Sequence, residues 1–201
     1  MFGIRRQIRK FSQNTDAAVA MEFALVAPVL VLMCLGSAGL IDNFRAKKRA
    51  QQAVDAVSDL MARSMAMNDN ERQNLYDAAR LTMGQYGLDT GSERIRMMIN
   101  GWEYDEDDNQ WTLVWTRGCY SATPWTAGDT RPGSYLPTVN DGGMIVQARV
   151  HFTYRNPFYF FSGRNAVFVH WSARRPRYTD RIEYVTEPGD STEEQWNCEF
   201  S

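Results

Sequence analysis

The sequence predicts an α+β fold: one long N-terminal helix, membrane-spanning in its first half and amphipathic in its second, packed on an antiparallel sheet of about four strands. Three observations carry this expectation. Phe23 to Ile41 is a run of 19 residues without a charge. After it, Ala50, Ala53, Val54, Val57, Leu60, Met61 and Met65 recur at steps of three and four with charged residues between them, the spacing of one helical face. From Ser92 onward the apolar period drops to two, and all six Trp residues follow residue 101, so the core of a head domain belongs to the C-terminal half.

Taken from Ala17 to Ile41, the apolar segment has 25 residues with Glu22 as its one acid. At about 1.5 Å per residue, roughly 20 helical residues cross the hydrocarbon core, so this segment can span with some tilt. It is the one such segment in the chain, and a mean hydropathy of -0.46 excludes a polytopic membrane protein. Arg5, Arg6, Arg9 and Lys10 precede it, which favours a cytoplasmic N-terminal arm. Arg45, Lys47, Lys48 and Arg49 follow it and oppose that bias, but a long C-terminal domain translocates largely regardless of its charge. Pro28 removes one backbone hydrogen bond inside the span, either as a kink or as a tolerated proline in a packed helix.

The amphipathic pattern predicts that the helix continues from Ala18 to Met67. Asn68-Asp69-Asn70 breaks it, and Glu71 to Tyr86 reads as a second helix with Leu75, Ala78, Ala79 and Tyr86 inward. Gly84, Gly87 and Asp89-Thr90-Gly91 end helical structure. Strands follow: one with Ile95, Met97 and Ile99 alternating, one with Trp111, Leu113 and Trp115, one over Met144 to Tyr154, and one over Ala166 to Ala173 alternating through Val167, Val169 and Trp171. The expected sheet has one dry face. Tyr120 to Asp141 is a long irregular loop. Asn156 to Phe161 is a hydrophobic link that suits either the core or a subunit contact.

The composition argues against several classes of function. With 22 Lys+Arg against 24 Asp+Glu the net charge is -2, so no nucleic-acid partner relying on bulk positive charge is expected. The two histidines, His151 and His170, lack metal-ligand spacing, although pairing of the third and fourth strands would bring them near each other. No nucleophile motif surrounds a Ser or Cys, and Gly142-Gly143 opens a strand rather than a phosphate-binding helix. Met61, Met65 and Met67 read as core filler. Asp105-Glu106-Asp107-Asp108-Asn109 lacks the alternate-residue ligands and central Gly of an EF-hand and reads as a solvated turn. No cofactor, metal or enzymatic activity is expected.

A basic arm followed by an apolar stretch and Gly36-Ser37-Ala38-Gly39 also describes a secretory signal peptide. Glu22 stands against that, because a carboxylate at the head of an apolar run is expensive and marks function where it is kept. The words around it, Asp16-Ala17-Ala18-Val19-Ala20-Met21-Glu22-Phe23 followed by Ala24-Leu25-Val26-Ala27-Pro28, resemble the type IV prepilin signature. More narrowly, they resemble the TadE-like minor pseudopilins of the tight-adherence (Tad/Flp) pilus, over about 30 residues. Ser172-Ala173-Arg174-Arg175-Pro176-Arg177-Tyr178 is similar to the Arg-Pro-Arg-Tyr ending of TadE-like chains. One position departs: Ala17 stands where the family has Gly before the cut.

The resemblance implies a pilin-like architecture in four parts: a basic cytoplasmic leader (1–17), a transmembrane helix (18–41), an amphipathic helical stalk (42–91) and a periplasmic β-rich head (92–201). It implies cleavage between Ala17 and Ala18 by a prepilin peptidase, with Glu22 and Phe23 as the fifth and sixth mature residues. The new amine at Ala18 and the Glu22 carboxylate are each costly in apolar surroundings and less so when paired, so Glu22 would neutralise the amine of a neighbouring subunit during assembly. The implied partners are the peptidase, other minor pseudopilins, the major Flp pilin, the inner-membrane assembly platform and membrane lipid. The implied role is priming or tip formation in pilus assembly and surface adherence. A single-pass envelope protein with an adhesive or scaffolding head is the alternative. Cys34 falls in the span, whereas Cys119 and Cys198 both fall in the exported part, where an oxidising compartment favours a disulfide. Closing that loop of about 80 residues would stabilise by up to roughly 4.5 kcal/mol.

Overall fold

A computed structural model describes residues 15–88, 95–120, 127–137, 139, 142–155 and 166–185. Helix α1 (Thr15–Arg63) is continuous through Pro28 and, at 49 residues, is about 73 Å long. It stops four residues before the expected Met67. Ser64 donates its backbone N–H to the Met61 carbonyl, and the Arg177 N–H takes the free carbonyl of Ala62 at 2.8 Å. Ala66–Met67 is then strand β1. The sequence break at Asn68 is a helix start: Asn68 accepts from the Glu71 N–H at 2.8 Å while the Glu71 carboxylate accepts from the Asn68 N–H at 3.2 Å. This reciprocal capping box opens α2 (Asp69–Met83), which is followed by the short α3 (Gln85–Leu88).

The sheet has the order β4-β3-β2-β5-β6, built from β2 (Ile95–Asp105), β3 (Gln110–Cys119), β4 (Thr130–Pro132), β5 (Met144–Tyr154) and β6 (Ala166–Arg174). All of its pairings are antiparallel. The α+β class is as expected, with five strands in place of about four. The extra strand, β4, has three residues and lies inside the segment read as one irregular loop. A second sheet, which the sequence reading also lacks, pairs β1 with β7 (Glu183–Tyr184) in parallel. Strands of two or three residues hold too little periodicity to be read from a sequence.

The long helix lies on one face of the sheet. Ala46, Ala50, Ala53, Val54, Val57, Met61 and Ala62 are all buried against Ile95, Met97, Ile99, Val146, Ala148, Val150 and Phe152. Four of those seven helix residues are Ala, which lets the backbone approach the strands closely. The opposite face is dry over β2, β3 and β5 and exposed at β6, whereas a single dry face was expected. Trp102, Trp111, Leu113 and Ile145 form a second cluster there, covered by Leu136 and Tyr135 from the segment after β4. The faces are switched by a β-bulge. Gly101 pairs with Trp115 but Trp102 pairs with Leu113, so Val114 is an extra residue in β3. Trp115 therefore faces the helix, while Trp111 and Leu113 face the other way.

Strand β6 also departs from expectation. Its register with β5 sets Phe168 opposite Phe152 and His170 opposite Val150, which turns Ala166, Phe168, His170 and Ser172 toward the helix. Val167, Val169 and Trp171, read as the inward stripe, are 60%, 42% and 52% exposed. The same register puts His151 opposite Val169, so the two histidines lie on opposite faces of the sheet and form no pair.

Candidate functional site

The first half of α1 projects clear of the head. From Val19 to Met33 every large apolar side chain is more than half exposed, including Phe23 at 68% and Leu25 at 73%. A stripe that apolar is stable only against lipid or other helices. Glu22 is exposed on this segment, one helical turn beyond Ala18, the spacing at which residues share a face. Ala17 and Ala18 both lie within α1, but their side chains are outside the described residues. The Ser37 hydroxyl turns back onto the Cys34 carbonyl at 2.8 Å, which satisfies it inside the apolar run.

Where the span ends, one carboxylate joins the helix to the head. Asp42 accepts hydrogen bonds from the hydroxyls of both Tyr86, at the end of the helical hairpin, and Tyr154, at the end of β5. The two rings meet edge to face at 6.2 Å. Burial, and then the bond to Asp42, raises the pKa of each phenol, so both remain protonated donors at any physiological pH. Sequence reading placed Tyr86 inward but missed this clamp. Its one available signal is that Asp42 is the first charge after the uncharged run.

A second set of ties holds the far end of α1. Arg177 pairs with Asp59, its N–H bonds Ala62, and the Ser58 hydroxyl donates to Ser172 at 3.1 Å. The Arg-Pro-Arg-Tyr stretch thus works as a strap on the stalk. Beyond it, Trp115 Nε1 donates to the Ile182 carbonyl at 2.8 Å, and the Tyr184 hydroxyl donates to Asp69 at 2.6 Å. Arg117 lies 4.5 Å over the Tyr184 ring.

Cys119 is fully buried and disulfide-bonded, Cys34 is free and exposed, and Cys198 lies outside the described residues. The Asp105–Asn109 acids form an exposed hairpin turn in which Asp105 Oδ1 accepts the N–H groups of Asp107 and Asp108 at 3.0 and 3.2 Å. Among the described residues no group of three or more His, Cys, Asp or Glu is placed to hold a metal ion. Met61 and Met67 are buried in the core, whereas Met65 is 73% exposed and does not fill it. The Asn156–Phe161 link lies outside the described residues.

Residues 17–59 match the family model of the TadE-like protein. The N-terminal segment of this chain is TadE-like. The TadE-like segment comprises the apolar half of α1, Asp42 of the clamp and the stalk as far as the residue gripped by Arg177. The sheet lies wholly outside it. No curated protein and no solved structure matches the chain. A TadE-like segment with one helix long and apolar enough to cross a membrane fits a single-pass membrane protein associated with the Tad pilus.

Proposed function

We propose that this chain is a minor pseudopilin of a Tad/Flp type IV pilus, held in the inner membrane by α1 with its N-terminus cytoplasmic and its head periplasmic. The observation that carries this reading is Glu22, exposed one turn beyond Ala18 on an apolar helix within the TadE-like segment. A prepilin peptidase would cut between Ala17 and Ala18. The freed amine of one subunit and Glu22 of the next then cancel in apolar surroundings, which sets the register in which subunits stack. Phe23 and the apolar residues after it pack against sibling pseudopilins and the major Flp pilin, recruited by the membrane platform. The head binds partners and converts no substrate; its role is priming or tip formation, which supports surface adherence. A Cys119–Cys198 bridge would pin the chain's last residues to the end of β3.

The test is the N-terminal sequence and mass of the mature protein from membranes of cells with and without the peptidase. A start at Ala18 that is lost with the peptidase is expected. Glu22→Ala is then expected to insert normally in the membrane but to stop co-purifying with major pilin; normal co-assembly would refute the pairing. A second reading, an anchored envelope protein that never enters a pilus, draws on Ala17 standing where the family has Gly, and an uncut Met1 would establish it. A start near Gly39 would refute both readings and leave a secreted soluble head.

A further inference from the structure

Four cations, Arg45, Lys47, Lys48 and Arg49, directly follow the span and have no part in the assembly reading. The fold separates them. Lys47 lies toward β6, where its charge acts on His170. Arg45, Lys48 and Arg49 occupy one helical face and line one wall of an open cavity of about 580 Å³, whose other wall runs from Leu81 at the end of α2 to Tyr86 in α3. All three side chains are exposed, and among the described residues none forms an ion pair.

The position of the cavity selects its ligand. Arg45 is four residues past Ile41, about 6 Å along the helix axis, and Arg49 is about 12 Å past it. The headgroup layer on each side of a bilayer is roughly 5 to 8 Å thick, so Arg45 falls within it and the other two reach back from its edge on long stems. Guanidinium groups suit phosphate oxygens through paired N–H donors, and the amides of Gln52 and Gln85 add neutral donors to the same cavity. On the span side of the cavity, Phe44 lies one turn before Lys48 on α1 and is 71% exposed. A water-borne anion has no use for that ring, whereas the glycerol region of a lipid does.

We propose that this cavity binds the phosphate-bearing headgroup of an anionic phospholipid in the leaflet on the head side of the membrane, with Arg45, Lys48 and Arg49 as its cationic wall. The proposal rests on α1 being a membrane anchor, but not on cleavage or entry into a pilus. Such a lipid would fix the depth at which α1 sits and the tilt of the head above the bilayer.

The experiment is native mass spectrometry of the full-length protein in detergent, titrated with phosphatidylglycerol or phosphatidylcholine. Each cation near an anionic surface is worth about fivefold in affinity, so Arg45→Gln/Lys48→Gln/Arg49→Gln is expected to weaken phosphatidylglycerol binding about a hundredfold. Phosphatidylcholine binding should stay as it is, and Lys47→Gln, which removes a single charge off the cavity, should alter either by no more than about twofold. Four results would overturn the inference. These are equal retention of both lipids; an effect of Lys47→Gln as large per charge as that of the cavity residues; displacement of lipid by millimolar inorganic phosphate, which marks a free-anion site; and unchanged lipid binding with lowered thermal stability, which makes the cations a complement to the C-terminal end of α2. Carbonate extraction reads the anchor separately. Release from membranes overturns both the anchor and the lipid site, whereas loss of lipid preference in a retained protein overturns the lipid site alone.

Discussion

Asp42→Ala should loosen the head from the helix at the membrane surface. Tyr154 is 3% exposed and packs on Phe152 and Phe168, so its hydroxyl has little water to turn to when Asp42 is removed. A hydrogen bond to a charged partner contributes about 1.5 to 3 kcal/mol, and a buried donor left without an acceptor costs about 1 to 3 kcal/mol. Tyr86 is only partly buried and recovers part of its loss from solvent. The two bonds together put Asp42→Ala at about 3 to 4 kcal/mol. Asp42→Asn keeps one acceptor oxygen and should cost about half of that. Tyr154→Phe removes one bond without orphaning a donor, so it should cost about 1 to 1.5 kcal/mol and relieve part of the damage in an Asp42→Ala background. The assay is urea unfolding of the full chain in detergent, followed by the fluorescence of tryptophans that all lie in the head. Asp42→Ala within about 0.5 kcal/mol of the wild type, or strict additivity with Tyr154→Phe, would refute the clamp.

Three further predictions test the fold that positions it. Gly101→Ala should destabilise by about 1 to 3 kcal/mol in the same assay, near the upper end: the added Cβ would meet Met144 Cε and the Trp115 indole at 2.4 Å, and Trp115 is held to Ile182. Val169→Thr on the outward face of β6 should change stability by under about 0.5 kcal/mol, whereas Val150→Thr, fully buried under the helix, should cost about 1 to 3 kcal/mol; equal effects would mean the register is wrong. The pKa of His170 is lowered by burial and then by Lys47 against Asp55, and that of His151 by burial and then by Arg149 and Arg96. The unfolded chain therefore binds protons first, so this stability is complete above about pH 6.5 and is lost as pH falls. The Nε2 of His170 is buried without a partner among the described residues, so the urea midpoint should drop from pH 7 to pH 5, and less steeply once His170→Gln removes that imidazole.

The long helix was legible because its signals are local. Nineteen uncharged residues and a run of three- and four-residue steps state length and burial without reference to any other part of the chain. Strands β2, β3, β5 and β6 were legible from period two in the same way, as was the position of Glu22 one turn from Ala18. Local pattern fixes where an element runs; it does not fix which side faces in when both sides are apolar. Val167, Val169 and Trp171 alternate as cleanly as any core stripe, yet the pairing of Phe168 with Phe152 turns them outward. Trp111, Leu113 and Trp115 alternate too, and one extra residue at Val114 divides them between two cores. The Asp42 clamp, the Arg177 strap and the cationic cavity join residues 29 to 118 positions apart. The apolar helix, its acid and the main strands of the head are written in local pattern. Tertiary structure decided which faces are buried and which charges meet, because register and contact are properties of pairs of segments that no single segment carries.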